Sequence, residues 1–333
     1  MKRSTNIAFF GFGLAAFGFL MWRFGIDRIA VNIEHAGWSL LYVIIVWFVI
    51  YILNTLAWRL ALGGHGKEIA FSQLFMVTVS GFVLNYITPV VALGGEPYKV
   101  KALGSSMESR QSLSAVVLYR MVHLLGHMLL ILTGILAAIV SLPLSVQARV
   151  LLALAGALVL ALIALIFSGH RGGVFERVRK VVQRFRVLKR FSTAIQKYEA
   201  DLGAMDEVIT GVYRNQRLRF YFSILIEYLS RACMGLEVYL ILHGVGVETT
   251  VASAMFLYVV YSIIINLLFF IPMNLGAREG GLLLGLESLA LPPFLGVYLG
   301  LVMRIREFFW ILLGLLFILL TQSKREATTS QAL

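Results

Sequence analysis

Two motifs rich in proline and glycine, each with an acidic residue, interrupt apolar segments of this chain and resemble each other. The first, at 85–97, reads Asn-Tyr-Ile-Thr-Pro-Val-Val-Ala-Leu-Gly-Gly-Glu-Pro. The second, at 271–281, reads Ile-Pro-Met-Asn-Leu-Gly-Ala-Arg-Glu-Gly-Gly. Proline and glycine break helices, and in lipid a broken backbone is tolerated only where protein or water satisfies its polar groups. Any fold of this chain must therefore shelter both motifs.

The remainder of the chain is strongly apolar. Of the 333 residues, 59% are hydrophobic, and the mean hydropathy is +0.87. Runs without Asp, Glu, Lys or Arg, long enough to cross a hydrocarbon core of ~30 Å, recur along the sequence. They lie at 38–58, 71–95, 121–148, 150–169 and 249–277. This composition predicts an all-α polytopic membrane protein.

The distribution of positive charge orients the predicted helices. Residues 171–219 contain twelve of the Lys and Arg residues of a chain whose net charge is +12, so we expect this segment in the cytoplasm. A consistent threading then needs about eight transmembrane helices plus two re-entrant hairpins, one at each motif. The predicted helices are 7–22, 38–58, 71–89, 112–140, 148–168, 220–243, 251–272 and 294–321. Both termini are then cytoplasmic, and 7–22 is a retained first helix, since no small-residue cleavage site follows it.

This threading also predicts a 4+4 inverted repeat. Glu96 and Glu279 are 183 residues apart, and Arg120 and Arg304 are 184 apart. Inverted repeats around broken helices are typical of secondary transporters, which bind substrate near the bilayer midplane. The predicted domains are the first repeat with the first helix of the second (1–169), a basic cytoplasmic amphipathic loop (170–219), the rest of the second repeat (220–323) and a cytoplasmic tail (324–333).

Ionisable residues inside the predicted helices are candidates for substrate binding, because charge within a bilayer is costly. The arginine fork binds phosphate through two hydrogen bonds, which suits an anionic lipid headgroup. The embedded arginines are Arg120, Arg231 and Arg304. Internal ion pairing is the alternative explanation. The candidate pairs are Glu227 with Arg231, Arg304 with Glu307, Glu96 with Arg120, and Glu279 with Arg304.

The motifs add further candidates for the same site. Arg278 and Lys99 are cations beside the breaks, and Glu96 and Glu279 suit proton carriage, charge balance for a cationic headgroup, or capping of the helices that follow. We expect Asn85 and Asn274 to satisfy backbone groups freed by the breaks. The residues that break the helices are Pro89, Gly94, Gly95, Pro272 and Gly276.

Other signals for chemistry are weak. His123 and His127 have the i,i+4 spacing of metal ligands but lack a third ligand, so a polar contact between helices is the better interpretation. The sequence contains no P-loop, nucleophile elbow or HExxH motif. The aspartates Asp27, Asp201 and Asp206 all lie outside the predicted helices. We therefore expect no catalytic residues, no metal and no cofactor.

The segment 174–191 has apolar residues on one helical face and basic residues largely off it. This pattern predicts a helix on the anionic cytoplasmic leaflet, and a basic loop that only orients the protein is the alternative. Nucleic acid is not an expected partner within a polytopic membrane protein.

The two motifs together resemble the lysylphosphatidylglycerol synthase transmembrane-region family, also called flippase-like proteins, over residues 7–321. The residues that carry the resemblance are Asn85, Pro89, Gly95, Glu96, Lys99 and Leu103, then Pro272, Gly276, Arg278, Glu279, Gly280 and Arg304. The resemblance implies translocation of lipids. Longer members carry an aminoacyl-transferase domain after the membrane region, and we expect none here because the sequence ends at Leu333. Lys99 stands where the family usually has arginine, which argues against a bidentate phosphate contact there.

The sequence thus predicts a transporter or flippase in the bacterial inner membrane for an anionic or zwitterionic lipid, which includes glycolipids, aminoacylated lipids and isoprenoid-linked lipids. Two alternatives remain: a membrane-embedded enzyme that modifies lipids, and a non-transporting partner of a lipid glycosyltransferase or synthase. A homo-oligomer, or a complex with a lipid-biosynthesis enzyme, is also compatible with the sequence.

Overall fold

The computed structural model describes residues 26–64, 66, 68–87, 94–104, 107–169, 203, 210–211, 216–268, 274 and 276–330. This part of the chain is helical and contains no strand. Its helices are α1 (Ile26–Ala61), α2 (Phe71–Ile87), α3 (Gly95–Leu103), α4 (Ser109–Ser141), α5 (Val146–Gly169), α6 (Arg217–Gly244), α7 (Val251–Leu267), α8 (Ala277–Ser288) and α9 (Phe294–Ser330). The predicted all-helical class is confirmed.

Several helices have the length and composition of membrane-crossing segments. Within the described residues, three are long and apolar enough to cross a bilayer: Gly37–Ala61, Gln111–Ser141 and Val146–Phe167. The apolar helices α2 and α7 have 17 residues each, or about 25 Å at 1.5 Å per residue. The helices α6 and α9 have 28 and 37 residues and contain charged residues in their interiors. The chain is therefore a helical membrane protein.

Some predicted helix boundaries are wrong. The last helix does not end at 321, because α9 continues to Ser330; lysine and arginine are good helix formers, so Lys324 and Arg325 do not terminate it. The helix predicted at 251–272 ends at Leu267, five residues before Pro272. The predicted helix at 7–22 and the amphipathic segment at 174–191 lie outside the described residues.

A kink divides α1 near its first third. Gly37 has φ 48° and ψ −132°, a conformation that glycine adopts readily and other residues do not. The helix predicted at 38–58 is the part of α1 that follows this kink. Residues 26–36 form a helical extension that the sequence analysis did not anticipate.

The helices α1 and α6 run antiparallel in close contact along their lengths. Near the start of α1, Ser39 packs against Gly244 at the end of α6. Further along, Trp47 Nε1 donates to Glu237 Oε2 at 2.9 Å, and Asn54 Nδ2 donates to Ser230 Oγ at 2.6 Å. As the residue number rises on α1, the number of its partner falls on α6. The two helices form the centre of the molecule.

The remaining contacts fall into matched pairs around this centre. Two segments of the chain, α1–α4 and α6–α9, have the same order of helices. Each contains a long helix, a 17-residue helix, a short helix and a second long helix. The helix α5 lies between the two segments in the sequence and packs on α4. Each helix packs on the next within both segments. Between segments, α2 packs on α9 as α7 packs on α4, and α1 packs on α9 as α6 packs on α4.

The short helices α3 and α8 lie against the helices that precede the breaks. A Cβ atom at Gly95 would lie 1.9 Å from the carbonyl oxygen of Gly81 on α2. A Cβ atom at Gly281 would lie 2.6 Å from Cα of Tyr261 on α7. Glycine therefore allows each short helix to reach backbone contact with its neighbour.

We expect Gly95→Ala to lower the melting temperature of the detergent-purified protein by several degrees. The added methyl group would overlap a backbone oxygen, and overpacking typically costs about 1–3 kcal/mol. Gly280→Ala on α8 is the matched control, since no atom lies within 4 Å of its Cβ position. Thermal unfolding followed by tryptophan fluorescence measures both variants. Equal melting temperatures would contradict the close approach of α3 and α2.

Candidate functional site

Side chains satisfy the backbone where α3 and α8 begin. The N–H of Gly95 donates to Asn85 Oδ1 at 2.7 Å, which confirms the role predicted for that asparagine. The N–H of Gly276 donates to Glu279 Oε2 at 2.9 Å, so Glu279 caps α8 from its first turn. Asn274 has a φ of 53°, and its carbonyl oxygen accepts from Arg304 Nη2 at 3.4 Å.

Each short helix also pairs its glutamate with an arginine of the long helix that follows. Glu96 Oε1 lies 3.5 Å from Arg120 Nη1, and Glu279 Oε1 lies 3.4 Å from Arg304 Nη2. Both pairs were among those predicted from the sequence. Their surroundings differ, because 45% of the Arg120 side chain is exposed against 1% for Arg304. Equivalent ion pairs thus lie at the protein surface in one segment and in the interior of the other.

The interior pair belongs to a larger cluster around Glu307. Arg278 Nη2 lies 2.6 Å from Glu307 Oε1, and Arg304 Nη1 lies 3.4 Å from Glu307 Oε2. The hydroxyl of Tyr86 donates to Glu307 Oε2 at 2.5 Å and accepts from Arg304. Arg306 Nη1 approaches Glu307 Oε1 at 3.9 Å. One carboxylate therefore holds α2, α8 and α9 together.

The same cluster continues to α6 and α1 through Arg306. Its Nη2 lies 2.8 Å from Glu237 Oε1, and its guanidinium carbon lies 3.8 Å from the ring centre of Trp47. Neither Arg306 nor Glu237 is among the site residues predicted from the sequence. Both residues are charged and lie inside an apolar helix, which is the criterion that selected Arg304. The same criterion, applied to every charged residue in these helices, finds them from the sequence.

A second buried cluster joins α4 to α6. Glu227 accepts a hydrogen bond at 2.9 Å from the hydroxyl of Tyr119, and its other oxygen lies 2.9 Å from His123 Nδ1. Arg231 contacts the His123 ring in place of the Glu227 carboxylate. Among the described residues, the predicted i,i+4 ion pair between Glu227 and Arg231 is therefore absent, because a histidine from the neighbouring helix lies between them.

Lys99 occupies an aromatic environment beside this cluster. Its Nζ lies 4.6 Å from the ring centre of Phe82, 5.4 Å from that of Tyr119 and 5.6 Å from that of Trp58. Glu96 Oε1 is 4.0 Å away. Such rings stabilise an ammonium group through cation–π attraction.

A cavity of about 170 Å³ lies between the two clusters. Its lining is mainly aromatic and aliphatic with a few charged groups. The lining residues are Trp47, Ile50, Tyr51, Asn54, Phe82, Val83, Tyr86, His123, Arg231, Met234, Arg306, Glu307, Trp310 and Ile311. The histidine and arginine of the second cluster therefore share one space with Arg306 and Glu307 of the first.

Some of the predicted site residues lie at this cavity and others do not. Arg231 lines it, and Arg278 and Arg304 contact Glu307, which also lines it. The other predicted residues within the described part of the chain do not line it: Asn85, Gly94, Gly95, Glu96, Lys99, Arg120, Asn274, Gly276 and Glu279. Pro89 and Pro272 lie outside the described residues.

His127, one turn beyond His123, makes the polar contact between helices that its position predicted. Its Nε2 lies 3.1 Å from Ser262 Oγ and 3.2 Å from Asn266 Nδ2, both on α7. It therefore connects α4 to α7 without a charged partner.

A comparison with protein-family models agrees with this architecture. The model described as the lysylphosphatidylglycerol synthase TM region matches residues 6–314. The chain belongs to this family. The family resemblance inferred from the two motifs is thereby confirmed, and it relates this membrane protein to lipid metabolism. The search of curated proteins and the search of solved structures find no match.

We expect Glu307→Gln to destabilise the protein strongly. The substitution removes the negative charge that Arg278 and Arg304 share, and breaking a buried ion pair typically costs about 3–5 kcal/mol. Glu287→Gln is the matched control, because Glu287 is exposed on α8. Thermal unfolding in detergent should give a clearly lower melting temperature for the first variant alone. A similar melting temperature in both variants would mean that the cluster does not hold the helices together.

Proposed function

We propose that this protein moves a lipid with an anionic or zwitterionic headgroup between the leaflets of the bacterial inner membrane. It acts as a carrier that leaves the covalent structure of the lipid unchanged. The headgroup binds in the cavity between the two charged clusters, and the acyl chains stay in the bilayer. Membership of a family named for a lipid synthase's membrane region supports a lipid as the substrate.

The contacts of Arg231 carry this proposal. Among the described residues it makes no direct ion pair: it contacts the His123 ring, Met234 Sδ at 3.5 Å and Tyr258, and its Nε has no hydrogen-bond partner. The other arginines that line or border the cavity are each paired with glutamate. The nearest carboxylate, Glu227, lies on the far side of the His123 ring, so the guanidinium of Arg231 has no carboxylate bonded to it. The phosphate of a headgroup would supply that direct anionic partner.

The dimensions of the cavity suit this role. A volume of about 170 Å³ gives room for a phosphate-sized group. Aromatic walls with few polar groups are also typical of small-molecule sites.

We further propose that the two segments form an inverted repeat. A shift of 183 residues moves Trp47 to Ser230 and Asn54 to Glu237. The hydrogen bond from Trp47 to Glu237 then exchanges with the one from Asn54 to Ser230. The antiparallel course of α1 and α6 and the matched helix contacts support opposite orientations of the two halves. In this arrangement the breaks before α3 and α8 belong to re-entrant hairpins. The backbone contacts of α3 with α2 and of α8 with α7 support this interpretation.

The remaining assignments are part of the same proposal. Both termini lie in the cytoplasm, and the segment 174–191 contacts anionic lipid there. The protein needs no cofactor. Assembly with a second copy or with a lipid-biosynthesis enzyme remains a prediction from the sequence.

Lipid movement should depend on Arg231. In proteoliposomes containing fluorescent phosphatidylglycerol or phosphatidylethanolamine, we expect Arg231→Gln to slow translocation at least tenfold, because the headgroup loses its cationic partner. Arg217→Gln, at the exposed start of α6, removes the same charge outside the cavity and should be without effect. Dithionite quenching of the outer leaflet measures the rate.

Two results would contradict this proposal. Equal rates in both variants would exclude Arg231 as the headgroup contact. The second result concerns the lipids of cells that lack the protein. We expect their mass spectra to contain every lipid species, because only the distribution of the lipid between the leaflets should change. Loss of a lipid species and accumulation of its precursor would instead identify an enzyme.

The inverted repeat predicts opposite labelling of two equivalent loops. In a Cys233→Ser background, a cysteine at Gly64, between α1 and α2, should react with an impermeant maleimide from the cytoplasm. A cysteine at Glu248, between α6 and α7, should react from outside. Both positions are exposed, so reactivity reports the side of the membrane. Labelling of both from one side would exclude an inverted repeat.

A further inference from the structure

His123 lies between a carboxylate and a guanidinium inside the membrane. Its Nδ1 is 2.9 Å from Glu227 Oε2, and its Nε2 contacts Arg231 Nη2. Glu227 is fully buried, and 14% of the His123 side chain is exposed. The ring also lines the cavity. A titratable side chain thus connects the proposed headgroup arginine to a buried acid.

The hydrogen-bonding capacity of these groups determines where the proton on the imidazole lies. A guanidinium only donates, so the nitrogen that faces Arg231 must present its lone pair. Arg231 Nη2 is closer to Nε2 than to Nδ1, which is 3.1 Å away and also bonds Glu227. Nε2 is therefore unprotonated, and Nδ1 carries the hydrogen that it donates to Glu227. His123 is neutral as long as Arg231 occupies this position.

The proton on His123 depends on charges from several helices. Arg231 is nearest, and Lys99 and Arg120 also act on the ring through their charges. Phe82 of α2 packs against the imidazole of His123 with 5.1 Å between ring centres and contributes no charge. The charged and titratable groups around it lie on four helices. They are Glu227 and Arg231 on α6, Lys99 and Glu96 on α3, Tyr119, Arg120 and His127 on α4, and Tyr258 on α7, which shares the Met234 sulfur with Arg231.

We propose that His123 carries one proton with each anionic lipid that the protein moves. This inference rests on the proposed function and adds its coupling to a proton gradient. A headgroup phosphate draws the Arg231 guanidinium away from the imidazole and frees the Nε2 lone pair. A proton from water then forms an N–H bond at Nε2, giving an imidazolium between Glu227 and the phosphate.

Release of the lipid reverses these steps. Arg231 returns to the imidazole, and Nε2 gives its proton to water on the side where the lipid leaves. One proton is taken up and one is released for each lipid, and no covalent bond of the lipid changes. The proton cancels the charge of a monoanionic headgroup, so the species that crosses the low-dielectric interior is neutral overall.

His127 provides a matched comparison on the same helix. It lies four residues further along α4 and bonds to Ser262 and Asn266, neither of which is charged. Neither hydrogen bond involves Arg231, so headgroup binding should act on His127 only through space, by the charges of Arg231 and His123.

The test uses proteoliposomes with fluorescent phosphatidylglycerol and a pH difference of one unit, with the membrane potential held at zero. For one proton per lipid, we expect the steady-state ratio of labelled lipid between leaflets to approach tenfold in the wild-type protein. In His123→Gln the ratio should stay near one at whatever rate lipid moves. Glutamine donates to Glu227 and accepts from Arg231 but does not take up a proton. His127→Gln should keep the wild-type ratio.

The outcomes separate this inference from the proposed function. Wild-type protein that moves phosphatidylglycerol with a ratio of one, whatever the pH difference, would overturn proton coupling and leave transport intact. Wild-type protein that moves no lipid would overturn both. A pH-dependent ratio in His123→Gln would exclude His123 as the carrier.

A second measurement needs no variant. Addition of dihexanoyl phosphatidylglycerol to wild-type protein in weakly buffered detergent should remove up to one proton from solution per lipid bound, as followed with a pH-sensitive dye. Lipid binding without proton uptake would overturn the inference even if His123→Gln fails to fold.

Discussion

The mutual neutralisation of charges on neighbouring helices is the constraint on which this structure depends. The helix α9 carries Arg304, Arg306 and Glu307 in its interior, where a lone charge is expensive. These charges become tolerable because α8 contributes Glu279 along with Arg278, and α6 contributes Glu237, so that three arginines face three glutamates. These ion pairs determine which faces of α6, α8 and α9 turn toward one another. The apolar packing around them is compatible with many helix rotations, and the charges select one.

The cavity follows from the same constraint. The two charged clusters both include residues of α6 but do not merge, and the space between them is lined by aromatic rings. Almost every embedded arginine at this level has a glutamate as its partner. Arg231 instead contacts a histidine, and it lines the cavity. That contact is the basis for proposing both an anionic headgroup and a proton carrier.

Sequence equivalence between the two segments does not imply equivalent surroundings. Glu96 with Arg120 and Glu279 with Arg304 have almost the same separation, 3.5 and 3.4 Å. Arg120 is nevertheless half exposed, whereas Arg304 lies within the Glu307 cluster. The interior pair has Glu307 and Tyr86 beside it, and Arg120 has no comparable neighbour among the described residues. The surroundings of the arginine, more than the motif itself, distinguish the two halves.

The sequence by itself determined the helical class, the two breaks, the family and the ion pairs between each motif glutamate and the next arginine. These follow from composition and from local spacing along the chain. Only the tertiary structure decided that His123 separates Glu227 from Arg231, that Glu237 pairs with Arg306 across 69 residues, and that Arg231 lines the cavity. The physical reason is that helical periodicity specifies neighbours on one helix, whereas partners on different helices depend on the rotation at which those helices pack.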